Sequence, residues 1–126
     1  MIVPAINNEP GLYSARYAGV NATDSDNRNK LISKLKDRKL ESTYAYFFCC
    51  IVAVGIKGQN EIIVCDGRIE GEVRTIERGE KGFGYDPMFY PRGYSESFAE
   101  LSSLEKNKIS HRGQALKKLM DKLNKT

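Results

Sequence analysis

Two long apolar runs separated by a short turn constrain this chain more than anything else in it. Thr43 to Ile56 is aromatic and β-branched almost throughout, and Glu61 to Ile76 resumes that character after Lys57-Gly58-Gln59-Asn60. Such residues favour extended, buried strands. A turn this short lets the two runs pair as a long antiparallel hairpin. The first run is too long and too apolar for a strand with one wet face, so it belongs at the centre of a sheet. Asp66-Gly67 and Gly71 interrupt the second run, where a bend or bulge is expected.

Helical signals lie on both sides of the hairpin. Thr23 or Asp24 can cap a helix running to about Lys39, with Leu31, Ile32 and Leu35 on one face. Asp24 and Asp26 near its start and Lys34, Lys36 and Lys39 near its end suit the helix dipole, and the two aspartates read as capping residues rather than a metal pair. Ser102 to Lys108 predicts a short helix and Ser110 to Leu123 a longer one, with Leu116, Leu119, Met120 and Leu123 at i, i+3, i+4 and i+7. Asn7-Asn8-Glu9-Pro10-Gly11 is a cluster of turn formers, Leu12 to Gly19 predicts a helical turn, and Met88-Phe89-Tyr90 a short strand. With no repeat, low-complexity tract or linker, residues 1–126 read as a single α/β domain, a mixed β-sheet with a long central hairpin flanked by helices.

Composition narrows the function classes. Twenty basic against sixteen acidic side chains give a formal charge of +4. That excess suits phosphate-bearing ligands but is too small to establish nucleic-acid binding, and no aromatic RNA-binding pattern accompanies it. The lysines at 30, 34, 36 and 39 and at 117, 118, 122 and 125 read as solvated helix faces. Cys49, Cys50 and Cys65 are odd in number and lack C-x-x-C spacing, which argues for buried reduced thiols rather than a disulfide framework or zinc site. Met1 to Ile6 has neither a basic start nor a sustained apolar core, and no run approaches the length of a membrane span. The chain reads as cytoplasmic.

Two short motifs carry the chemistry. In Gly82-Phe83-Gly84-Tyr85-Asp86-Pro87, glycines on either side of Phe83 permit unusual backbone angles and close ligand approach. Asp86 before Pro87 is biased towards an extended conformation, which fixes where its carboxylate points. By spacing alone the segment is either a ligand loop or a glycine-rich turn with Phe83 in the core. In Ser110-His111-Arg112-Gly113, Ser110 is a good N-cap that leaves His111 and Arg112 in the first helical turn. Cations there oppose the helix dipole at a cost of up to about 1 kcal/mol, which an anionic or carbonyl-bearing ligand would reverse. Lys106 lies between the motifs, giving three potential cations in Lys106, His111 and Arg112. A lone histidine such as His111 is structural as readily as functional. No G-x-S-x-G, H-E-x-x-H or P-loop is present.

Together with Pro10 to Tyr17, Glu105-Lys106 and Ile109 to Leu116, these motifs resemble those of the inosine triphosphate pyrophosphatase family, the noncanonical purine NTP pyrophosphatases. The resemblance covers essentially the whole chain. It implies a two-lobed α/β fold around a long mixed sheet, a homodimer, Mg²⁺, and hydrolysis of ITP, dITP and XTP to the monophosphate and pyrophosphate. It also implies that Phe83, Gly84, Tyr85 and Asp86 line a purine nucleotide pocket with Phe83 stacked on the base. Lys106, His111 and Arg112 would be the polar contacts, donors suited to a 6-oxo purine.

The departures matter as much. Family members carry a T-x-N-x-x-K motif, a metal-binding Glu and a D-D-S-G segment whose Asp binds metal and activates water; none of these occurs in this sequence. The chain resembles the C-terminal two-thirds of a member, with no catalytic residue or metal ligand assigned in it, and Tyr46 stands where many members have Arg. Weak or absent turnover by this chain alone is expected on that basis, leaving a nucleotide-binding or dimerising role as the alternative.

Overall fold

The computed structural model describes residues 1–55 and 62–124. Its strands follow the order β2-β1-β3-β4-β5 in one five-stranded sheet. The strands are β1 (Ile2–Val3), β2 (Glu9–Pro10), β3 (Ser42–Val54), β4 (Ile62–Arg74) and β5 (Phe89–Pro91). The helices are α1 (Asp24–Asp37), α2 (Ser103–Ile109) and α3 (His111–Asn124). The α/β class, the two long strands and their flanking helices thus appear as the sequence predicts. β3 takes the central place in the strand order. The expected turn at Lys57 to Asn60 lies outside the described residues. None of the helices among the described residues is long and apolar enough to cross a membrane.

The chain divides into two compact units, Met1–Tyr46 with Glu70–Ser102, and Phe47–Ile69 with Ser103–Thr126. In the first, the turn formers at the start build a small hairpin. Asn7 and Asn8 both take left-handed backbone angles, a conformation that asparagine tolerates, and Ile2 then pairs with Pro10 and Val3 with Glu9. Ile2 also pairs antiparallel with Tyr46 of β3. On the far side Gly71, Glu72 and Val73 of β4 pair antiparallel with Pro91, Tyr90 and Phe89 of β5. Val3, Ile6, Leu31, Leu35, Val73, Met88, Phe89 and Phe98 are buried, and the rings of Phe89 and Phe98 lie 5.0 Å apart.

Helix α1 starts on a capping box. The Thr23 hydroxyl accepts from the Asp26 N–H, and the Asp26 carboxylate accepts from the Thr23 N–H. Buried Asn27 ties the helix to the 3₁₀ segment at Gly11–Arg16 and the turn after it, accepting from the Ala18 N–H at 2.8 Å and donating to the Ala15 carbonyl at 3.0 Å. Lys30 and Lys34 on this helix are not simply solvated. Lys30 donates to the Tyr17 carbonyl, and Lys34 lies 3.4 Å from the Glu9 carboxylate.

In the second unit, helix α3 lies on β4. Gln114 donates to the Arg68 carbonyl, Lys118 pairs with Asp66 at 3.0 Å, and Lys122 donates to the Val64 carbonyl. Three expectations are corrected here. β4 runs through Asp66-Gly67 and Gly71 without a break. Gly67 serves close approach instead, because a Cβ there would lie 2.0 Å from the His111 carbonyl oxygen. The apolar stripe of α3 is shifted as well: Ala115 is the buried residue, while Leu116 and Met120 are 54% and 50% exposed. A helix drawn this close to a strand needs a small residue at the contact. Lastly, β3 beyond Phe47 alternates in burial, with Phe48, Cys50, Val52 and Val54 exposed, so length and apolar content did not mean burial on both faces. Among the cysteines only Cys65 is buried.

The close approach at Gly67 makes a direct test. Gly67→Ala is expected to cost about 1–3 kcal/mol, since backbone must shift to admit the methyl group. Gly84→Ala, at a position with open space but a φ of +62°, should cost only about 1 kcal/mol of backbone strain. Urea denaturation of both variants measures the difference.

Candidate functional site

The loop from Gly82 to Pro87 is braced by its own aspartate. Gly82 and Gly84 have φ angles of +85° and +62°, which fold the loop back on itself. The Asp86 carboxylate accepts from the Phe83 N–H at 3.1 Å, and the Asp86 N–H donates to the Phe83 carbonyl at 3.2 Å. A Cβ on Gly82 would lie 2.3 Å from the same carboxylate, so the glycine makes room for the brace. Asp86 is therefore 6% exposed and points into the loop. Asp86–Met88 forms a 3₁₀ turn rather than the extended backbone expected of Asp86 before a proline, and the Pro87 carbonyl accepts from the Arg78 N–H.

Helix α1 holds the same loop from outside. The Asp24 carboxylate accepts from the Gly84 N–H at 3.0 Å, and Arg28 donates to the Gly84 carbonyl at 2.8 Å. Arg28 is in turn held by an ion pair with Glu77. Reading Asp24 and Asp26 as a pair of caps was therefore half right: Asp26 caps, and Asp24 anchors the loop. Tyr85 is buried and donates to the Ser14 carbonyl at 2.7 Å. Burial, with the nearby Asp24 charge, raises its phenol above the usual range. Phe83 is the exception, for its side chain is 56% exposed. Among the two readings that spacing left open, the core position for Phe83 is ruled out.

The second motif lies in the other unit. Ser110 is buried, its N–H donating to the Lys106 carbonyl while its hydroxyl accepts from the Gly113 N–H at 3.0 Å. One residue thus closes α2 and caps α3, as its position predicted. Gly113 lets the two helices meet, since a Cβ there would lie 2.1 Å from the Asn107 carbonyl oxygen. Lys106 is half-buried on α2, His111 half-buried and Arg112 exposed at the start of α3.

His111 differs most from the sequence reading. Its ring stacks on Phe47 with centroids 4.9 Å apart and planes inclined by 13°. Nδ1 is buried and has no hydrogen-bond partner among the described residues. Burial, with Arg112 and Lys106 adding like charge, lowers its pKa to about 4. At neutral pH it is therefore no cation, and the expected trio reduces to Lys106 and Arg112. Phe47, Arg28 and Glu77 escaped sequence reasoning because their partners lie far along the chain.

The Ham1 family pattern matches residues 1–122. The chain belongs to the Ham1 family. Curated relatives include a dITP/XTP pyrophosphatase of Idiomarina loihiensis, 47% identical, with 99% of this chain and 62% of that protein covered. Another, of Clostridium perfringens, is 49% identical, with 96% of this chain and 58% of that protein covered. The chain therefore spans about 60% of the length of these relatives. Among solved structures, the HAM1 protein of Coxiella burnetii superposes with a TM-score of 0.89 at 40% identity, covering 99% of this chain and 64% of that one. The Staphylococcus aureus Ham1 protein gives 0.86 at 41% identity, covering 97% and 62%. The family and the α/β architecture expected from the motifs both hold.

Two predictions arise from this geometry. Asp26→Ala should lower stability by up to about 1 kcal/mol through loss of the Thr23 N–H to Asp26 half of the capping box, leaving the Gly84 amide protected. Asp24→Ala should instead speed hydrogen exchange at Gly84; equal exchange in the two variants would contradict the anchoring role. His111 sets a pH dependence. Its unfolded ring protonates near 6.5 and its folded ring near 4, so the unfolded chain binds more protons between those values. The stability it contributes is complete above that window and lost as pH falls through it. Denaturation midpoints at several pH values should show this slope in the wild type and less of it in His111→Gln.

Proposed function

We propose that this chain carries the purine-recognising part of a dITP/XTP pyrophosphatase. Its curated relatives bear that name at close to half identity over nearly the whole of this chain. The observation that carries the reading is Phe83, an exposed aromatic ring on a loop anchored by Asp24, Arg28 and Asp86. A ring held ready in this way can stack on a base without first being ordered, and such stacking contributes about 1–3 kcal/mol. Gly84, Tyr85 and Asp86 shape the loop that presents it. The same reading assigns Lys106, His111 and Arg112 as polar contacts to the nucleotide.

Mg²⁺ enters through the family resemblance. Among the described residues no group of three or more His, Cys, Asp or Glu side chains is placed to hold a metal ion. Asp24 and Asp86 both accept backbone N–H bonds within the loop and are committed to its shape. That commitment favours, as a second reading, a chain that binds purine nucleotides without cleaving them. A homodimer in the cytoplasm completes the proposal. Support for self-association comes from the exposed apolar side chains Phe48, Val52, Val54, Ile62 and Val64 of the second unit.

Calorimetry with ITP, dITP and ATP tests the reading. ITP and dITP should bind more tightly than ATP, and Phe83→Ala should weaken ITP binding about tenfold or more. Phe83→Trp should restore it. No binding of any of the three nucleotides would remove the proposal, and pyrophosphate release from dITP separates cleavage from binding alone.

A further inference from the structure

The edges of the sheet are not protected alike. β2 and β5, which end the strand order, are two and three residues long. Very short edge strands are one way in which a sheet avoids pairing with other chains. The long strand β3 has an edge of another kind. On one side it lies beside β4 and on the other beside β1, but β1 pairs with it only at Tyr46, opposite Ile2. From Phe48 to Val54 no strand among the described residues lies on that second side. Such a stretch presents a row of backbone donors and acceptors about 23 Å long. Its composition does nothing to protect it. Phe48-Cys49-Cys50-Ile51-Val52-Ala53-Val54 contains no charge, no proline and no glycine, whereas β4 carries Asp66, Arg68, Glu70 and Glu72. Phe48, Val52 and Val54 are also more than half exposed.

We infer that this edge pairs antiparallel with the same edge of a second copy, joining two sheets into one across a two-fold axis. This rests on the self-association proposed above and goes beyond it by naming the surface. A two-fold axis normal to the sheet keeps the faces of both copies on the same side, as an antiparallel ladder requires of opposed residues. Use of the whole stretch puts the axis at Ile51. Phe48 then faces Val54 of the second copy, and Cys50 faces its Val52. Each of these pairs sets uncharged side chains together, and no like charges meet. A foreign strand has no charged side chain here to recognise, whereas a second copy matches the stretch in length, face and polarity.

Sedimentation velocity of the full chain over a range of concentrations, with two lysine variants, tests the pairing. Val52 and Val64 are similarly exposed, but Val52 lies on the open edge of β3 and Val64 on β4. Val52→Lys should raise the dimer dissociation constant about tenfold or more, and Val64→Lys should change it little. Equal weakening by both would overturn edge pairing in favour of contact through the exposed face, and leave self-association standing. Val52→Cys reads the register, because it sets a thiol opposite Cys50 of the second copy, within the Cα separation of a disulfide. Mild oxidation should link this variant into covalent dimers and leave the wild type unlinked. No linkage in a dimeric Val52→Cys variant would overturn the pairing. A wild type that sediments as a monomer throughout would overturn self-association and edge pairing together, and leave the edge to a strand of another chain.

Discussion

Asp24 and Arg28, one turn apart on α1, grip Gly84 by its N–H and its carbonyl, and the presentation of Phe83 depends on that grip. A loop with two left-handed glycines would otherwise sample many shapes. Its position is set in turn by where α1 begins, which the Thr23 and Asp26 capping box determines. Asn27, between the two anchoring residues, fastens the helix to the segment before it. Thr23, Asp24, Asp26, Asn27 and Arg28 at the start of one helix thus have separate tasks, and the exposed aromatic ring is the outcome of all of them.

What could be read from the sequence followed the range of the interactions. Helix α1, the two long strands and the Ser110 cap are local features, set by periodicity, β-branched content and capping chemistry, and they appear where expected. The purine motifs were legible as motifs. Their internal economy was not, because the Gly84 N–H meets a carboxylate sixty positions away and the His111 ring meets Phe47 across a similar gap. Burial was misjudged for one reason in three places. Apolar character at Leu116, Met120 and Phe48 says that a residue tolerates burial, while the spacing between elements decides whether it is buried. On α3 Gly67 sets that spacing, and an isolated glycine in a strand pattern signals close approach as readily as a bend.

The two motifs also illustrate opposite uses of a titratable side chain. Asp86 is nearly buried yet satisfied, its carboxylate accepting a backbone N–H within its own turn. His111 is less buried as a residue, yet its Nδ1 has no hydrogen-bond partner among the described residues. A satisfied buried group stiffens structure, whereas an unsatisfied one restricts which protonation state the protein tolerates.

The division of the chain into units has a consequence for its synthesis. The backbone passes from one unit to the other after Tyr46, Ile69 and Ser102, so neither unit is a continuous stretch of sequence. A growing chain completes the residues of the first unit only at Ser102. By then both strands of the second unit have already emerged, with Ile63, Cys65 and Ile69 waiting for helices not yet made. Exposed strands of this kind are the ones most open to wrong pairing during folding. Arrival of Ala115 and the rest of α3 is what closes that interval for this unit.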